Sequence, residues 1–332
     1  MPLVPSTYKA PLWLRGGHCQ TIFPSLFRKV PPVVASRAII PATDGDEIVC
    51  DTFLAAPPRR SDSVVVLSHG LEGNSLRKYM RGMMLRFAQD GWDSVGRNFR
   101  GCGGEMNRTV GLYHSGQTED LHSVIEHCLY LGYERITLVG FSMGANQVLK
   151  YLGEHADKVP GAVVAAVAFS APCDLAAAAQ ELDKPENALY MRSFLRTLTQ
   201  KVKVKHESFP DAYPLDGLES IRTFAEFDNR YTGPIHGFSS ARDYWEKAAC
   251  LPFLTAIRTP VLLINALNDP FLAPSCSPVD IAASHACLHL ETPQNGGHVG
   301  FTSPFGQDAY WSEDRAAEFV ATVCAGRAGR IQ

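Results

Sequence analysis

The sequence predicts an α/β fold, a mostly parallel central sheet covered by helices on both faces. Three observations carry that prediction. Short β-branched runs recur along the chain, and several are apolar at every position rather than at alternate ones, the pattern of strands buried on both faces. Most are followed by a turn signal and a helical stretch before the next run, an alternation that produces parallel strands joined by helical crossovers. The 332 residues are 45% hydrophobic and 20% charged, enough apolar material for one large core.

Residues 35–41 and 47–54 flank Asp44-Gly45-Asp46 and read as a hairpin. The run SVVVLS at 63–68 is a strand ending at His69-Gly70, and a helix over about 75–89 closes at Asp90-Gly91. Residues 92–99 form the next strand, followed by the glycine-rich loop 100–105 and a helix over 118–131 that Thr118 is placed to cap. RITLVGF at 135–141 enters a sharp turn, 145–154 is helical, and 162–169 is again a strand. The alternation resumes with strands at 261–266 and 287–291, a short helix at 279–284 and a last helix at 313–323.

Between residues 174 and 259 the pattern turns helical and mixed in polarity, with aromatics from Phe194 to Trp245. Residues 175–255 read as an insertion within a single domain spanning 1–332. Such an insertion lies over the C-terminal edge of the sheet, where open α/β sheets bind ligands. For part of the segment, a helical layer on the sheet flank is an equal alternative.

Composition excludes several function classes. A formal net charge of −3 offers no global field for nucleic acid. Arg28-Lys29 and the run Lys201, Lys203, Lys205 read as solvated surface. Nine cysteines without a C-x-x-C pair argue against a disulfide scaffold or zinc site and point to a reducing cytoplasm. The leading residues lack a secretory pattern, and the longest apolar run, 162–169, is too short to span a bilayer. The loop 100–105 lacks the full G-x-G-x-x-G, because Met106 stands where the third glycine belongs. No cofactor or metal is expected.

The chemistry gathers around Gly140-Phe141-Ser142-Met143-Gly144. This G-x-S-x-G stands between an apolar strand and a helical pattern, the context of a nucleophile elbow in the α/β-hydrolase fold. A turn this tight needs glycines so that strand and helix can approach, and it leaves Ser142 at a helix N-terminus, which favours developing negative charge. A serine hydroxyl needs a base and an orienting acid, which follow in the chain order serine, acid, histidine. Asp269 follows a strand in Asn268-Asp269-Pro270, and His298 lies in Gly296-Gly297-His298-Val299-Gly300 after the last strand. Asp280 is the rival acid, whereas Asp308 and Asp314 come too late in the chain. Of the eleven histidines, His122 and His127 fall on a helix as packing or surface residues, and His114, His206, His236, His285 and His289 lack the glycine-flanked context. An oxyanion hole needs two backbone amides. Met143 supplies one, and the loop His69-Gly70-Leu71-Glu72-Gly73 the other, through Leu71. His69 precedes the nucleophile and reads as holding that loop in shape.

The chain resembles the YheT-like branch of the α/β-hydrolases. The resemblance rests on Trp13-Leu14-Arg15, His18-Cys19-Gln20-Thr21, Ser68 to Gly73, Asn98-Phe99-Arg100-Gly101, Tyr113-His114-Ser115-Gly116, Gly140 to Gly144, Ser170-Ala171-Pro172, Pro234-Ile235-His236-Gly237-Phe238 and Gly297 to Phe301. It implies a serine hydrolase acting on carboxylic esters with an acyl chain as small-molecule substrates, and Ser142, Asp269 and His298 fall on the family's triad positions. Ala145 departs from the second glycine common in relatives. The animal relatives' membrane-anchoring N-terminus has no counterpart in these residues, so action at a lipid surface does not carry over. Acyl transfer or thioester cleavage would use the same residues, and a non-catalytic binder would have no use for an ordered triad.

Overall fold

The computed structural model describes residues 3–303 and 309–328. Eight strands, β1 (Ser36–Pro41), β2 (Glu47–Phe53), β3 (Ser63–Ser68), β4 (Asp93–Arg97), β5 (Arg135–Phe141), β6 (Val163–Phe169), β7 (Val261–Ile264) and β8 (Leu288–Glu291), form one sheet in the order β1-β2-β4-β3-β5-β6-β7-β8. β1 with β2 and β2 with β4 are antiparallel, and every other pair is parallel. The helices are α1 (Gly17–Phe27), α2 (Lys78–Gln89), α3 (Glu119–Tyr130), α4 (Met143–Glu154), α5 (Leu175–Leu182), α6 (Ala188–Ser208), the short α7 (Phe224–Phe227) and α8 (Gly233–Ile235), α9 (Ala241–Ala248), α10 (Val279–Ser284) and α11 (Trp311–Ala328).

The apolar run of β3 feeds both faces by simple alternation. Val64 and Val66 pack with Leu121 and Val124 of α3 and Leu149 of α4. Val65 and Leu67 pack with Met80 and Phe87 of α2 and Phe319 of α11. Each such fully buried side chain contributes roughly 2 kcal/mol. The expected hairpin, crossovers and α10 stand where the sequence placed them.

Three local expectations shift. The helix expected from about 75 begins at Lys78, because the Ser75 hydroxyl is spent on the Asp51 carboxylate at 2.5 Å and its amide on Asn98. Thr118 does sit at the N-cap of α3 but makes no capping hydrogen bond. Its hydroxyl instead donates to Glu154 at 3.1 Å. α1, absent from the sequence reading, starts at Gly17 just after Gly16 and contains Pro24.

The segment between β6 and β7 holds α5 to α9 and its own apolar cluster. Met191, Leu195, Leu198 and Val202 make a stripe along α6 that packs against Tyr213, Phe227 and Tyr231, the spacing of one helix face. Lys205 continues that stripe, so the reading of Lys201, Lys203 and Lys205 as solvated surface is corrected. Only Lys203 sits on the outer face, paired with exposed Glu219. Lys205 is buried and donates to the carbonyls of Asn107 and Thr109. Burial pushes its ammonium down to about 8. Arg28 is likewise buried, in an ion pair with Glu313 and over the Tyr310 ring. Buried cations survive in such places because each is paired or fully hydrogen-bonded.

Candidate active site

Ser142 sits between β5 and α4 with φ 55° and ψ −120°, a strained conformation for a residue with a Cβ. The flanking glycines explain how the turn closes. A Cβ on Gly140 would lie 2.5 Å from the Gly144 carbonyl oxygen, and one on Gly144 would lie 2.4 Å from the Ser68 carbonyl oxygen. Ala145 sits fully buried in the first turn, its amide donating to the Ser142 carbonyl at 2.9 Å.

Three side chains from separate strand ends meet here. The Ser142 Oγ lies 2.8 Å from His298 Nε2, and His298 Nδ1 lies 2.9 and 3.1 Å from the two Asp269 oxygens. Asp269 has no exposed side-chain surface and also accepts from the Phe271 amide at 2.9 Å. That arrangement puts the imidazole proton on Nδ1 and leaves Nε2 to accept from the serine hydroxyl. The Phe271 ring packs on the imidazole at 4.3 Å.

The loops carrying the acid and base are fastened by α1. Thr21 Oγ1 accepts from the His298 amide at 2.9 Å, and Asn268 ties the two loops by accepting from the Gly297 amide at 3.0 Å. A Cβ on Gly17 would lie 2.0 Å from the Asn268 carbonyl oxygen. Sequence reasoning missed these supports. The only signal was the quoted Gln20-Thr21 motif, whose role depends on contacts far along the chain.

The amides of Leu71 and Met143 donate to no acceptor among the described residues. The backbone of Gly70 comes so close to the serine that a Cβ there would sit 3.2 Å from Ser142 Cβ. His69 donates from Nδ1 to the Gly70 carbonyl at 2.7 Å and accepts at Nε2 from the Phe99 amide at 3.1 Å. It thus bridges the loops after β3 and β4, and burial pushes its pKa down to about 3. Glu72, at φ 55°, pairs with Lys201 of α6 at 2.6 Å and receives the Tyr113 hydroxyl. Lys201 therefore links the helical segment to the loop that carries Leu71, a tie sequence reasoning did not find.

The remaining candidates lie elsewhere. Asp280 is exposed at the start of α10, Asp314 pairs with Arg86, and Asp308 lies outside the described residues. His122 is hydrogen-bonded to Tyr151, and His206 to the Tyr213 carbonyl. Arg100 of the glycine-rich loop is committed to Asp44 and Asp120. Among the described residues no group of acidic, histidine or cysteine side chains is arranged to hold a metal, and no helix is long and apolar enough to cross a membrane.

Ser142 and His298 stand between two cavities. One, of about 140 Å³, runs beneath the segment between β6 and β7 and is walled by Leu175, Leu198, Phe227 and Tyr231. The other, of about 750 Å³, lies between α1, α2 and α6 and is rimmed by Arg77, Lys78, Arg81 and Arg196.

A family model described as the alpha/beta hydrolase fold matches residues 63–303. The Escherichia coli (strain K12) protein YheT, an esterase by name, is 31% identical over 311 residues, covering 92% of this chain and 90% of the relative. The Homo sapiens phospholipase ABHD3 is 31% identical over 307 residues, covering 90% of this chain and 75% of its own. Among solved structures, an esterase of Pyrococcus furiosus, Pf2001, is similar with a TM-score of 0.57 at 17% identity, over 89% of this chain and 98% of that one.

Proposed function

The chain belongs to the α/β-hydrolase fold family, in the branch of YheT, and from that premise we propose that it hydrolyses carboxylic esters through an acyl-enzyme on Ser142. The observation that carries the reading is the unbroken series of hydrogen bonds from Ser142 Oγ through the His298 ring to buried Asp269.

In this mechanism His298 Nε2 takes the hydroxyl proton as Ser142 Oγ attacks the acyl carbonyl carbon. The free amides of Leu71 and Met143 receive the negative charge that develops on the carbonyl oxygen. The imidazolium, held in register and stabilised by Asp269, protonates the leaving alcohol. Water then attacks the acyl carbon as His298 takes its proton, and the imidazolium returns that proton to Ser142 Oγ as the carbon–Oγ bond breaks and the acid leaves. Residues 175–255 act as a cap: the acyl chain lies in the apolar cavity beneath them, and the alcohol leaves through the larger cavity rimmed by Arg77, Lys78, Arg81 and Arg196.

Ser142→Ala should lower turnover of a p-nitrophenyl ester by something on the order of a millionfold. The wild type should also take up a fluorophosphonate label that this variant does not. Full activity of Ser142→Ala, or a wild-type serine inert to the label in folded protein, would refute the reading. Decanoyl esters should outpace acetyl esters, and equal rates would remove the assignment of the apolar cavity to the acyl chain.

A further inference from the structure

Two histidines in the cavity beneath the cap take no part in the chemistry above. His114 follows β4 in Tyr113-His114-Ser115-Gly116, and His236 lies in Pro234-Ile235-His236-Gly237-Phe238 just after α8. Far apart in sequence, they meet in the wall of the cavity that holds Ser142, with ring centroids 4.6 Å apart. We propose that they form a recognition site for an uncharged oxygen substituent, a hydroxyl or keto group, on the acyl chain of the substrate. The proposal rests on the ester-hydrolase reading of Ser142.

The hydrogen-bonding inventory of these rings leads to it. His114 Nδ1 accepts from the Gly116 amide at 3.2 Å, which places its proton on Nε2. That N–H has no acceptor among the described residues, and neither ring nitrogen of His236 has a partner there. Tyr244, also in the wall, accepts the Ser115 amide at 2.8 Å, so its own hydroxyl proton is unspent. Both histidines are partly buried and their free nitrogens keep accessible surface in the cavity wall, so a ligand that displaces solvent there must match their hydrogen bonding or lose it.

The charge state narrows the ligand. Burial holds both rings neutral, His236 down to about 4 and His114 well below the usual histidine value. A neutral imidazole offers one donor and one acceptor, which suits an alcohol or ketone. A carboxylate would find the cations whose charge reaches these rings already paired, Arg100 with Asp44 and Asp120 and Lys150 with Glu154.

The position fits a chain bound to Ser142. The His114 carbonyl accepts from Gln147 at 2.8 Å and the Ser115 carbonyl from Asn146 at 2.9 Å. The loop is thus pinned to the second turn of α4, roughly 5–8 Å along the helix axis from the nucleophile. An acyl chain lying beneath the cap passes the imidazoles.

The test compares p-nitrophenyl decanoate with counterparts hydroxylated near the carbonyl, at mid-chain and at the chain end. In the wild type at least one hydroxylated ester should exceed decanoate in kcat/KM by about tenfold, the upper net worth of one neutral hydrogen bond. In His236→Phe and His114→Phe that ratio should fall to one or below. In His122→Phe, outside the cavity, it should persist. A wild type that prefers decanoate to every hydroxylated ester would overturn the proposal, as would an unchanged ratio in a folded His236→Phe. Calorimetric binding of the matching methyl esters to Ser142→Ala separates the two readings. Tighter binding of the hydroxylated ester supports the site even if hydrolysis fails, and equal affinities overturn it.

Discussion

The strand ends around Ser142 and the helical segment over them are built on different principles. Backbone geometry makes the first: a serine at φ 55°, glycines whose Cβ atoms would strike carbonyl oxygens, and a histidine whose backbone amide is held by a threonine of α1. Side chains make the second: Lys201 on Glu72, Lys205 on two carbonyls, Asp228 on Thr232 and Trp245. A device made of backbone tolerates almost no substitution. One made of side chains can be retuned residue by residue, which suits the part of an enzyme that selects a substrate.

Substitutions should expose that difference in order of size. Asp269→Asn keeps the shape of the acid but stabilises the wrong imidazole tautomer, and should cut kcat for a p-nitrophenyl ester by about 10⁴. Gly144→Val drives a side chain into the Ser68 carbonyl. Thermal unfolding should report a loss of about 4 kcal/mol or more, with activity lost alongside. Lys201→Met leaves Glu72 charged in a site where the pair exposes only 12% and 9% of its side chains. It should cost about 3 kcal/mol and lower kcat more than it raises KM, because the loop carrying Leu71 loosens. The double variant Lys201→Met with Glu72→Gln should recover part of the stability, and a purely additive cycle would deny the coupling.

The smallest effect is one of pH. The folded protein holds His236 at about 4, below the roughly 6.5 of an unfolded chain. Between those values the unfolded state binds more protons, so stability is complete above about pH 6.5 and falls as the solution is acidified. At pH 5 this one residue should account for about 2 kcal/mol of the loss. Asp228 works in the opposite sense, because burial raises its carboxyl to about 6 and favours the protonated, folded form as pH falls. Chemical denaturation at pH 7 and pH 5 should therefore show a smaller acid penalty in His236→Phe than in the wild type. In Asp228→Asn the penalty should be larger.

The same contrast governs how much was legible in the sequence. Strands buried on both faces write themselves as unbroken apolar runs, and β3, β5 and β6 lay within a residue of their expected bounds. The elbow was legible because glycine spacing is a steric requirement on consecutive residues. Asp269 and His298 followed from chain order. The supports were not legible, because each depends on a partner distant in sequence. Thr21 acquires meaning only beside His298, and Gly17 only beneath Asn268. Lys201 and Lys205 looked like surface charge because a run of alternating lysines says nothing about which helix face turns inward. His114 and His236 were set aside as bases for want of a glycine-flanked context, and nothing local showed that their rings would meet.

The docking of α1 is a long-range closure. Asn268 donates to the Arg15 carbonyl across 253 positions of chain, and the His298 amide donates to Thr21 across 277. Contacts so distant in sequence carry a loop-closure cost that is met only once the sheet between them has formed. The grip on these two loops thus rests on the whole sheet, and a lesion far from Ser142 that loosens the sheet loosens the grip as well.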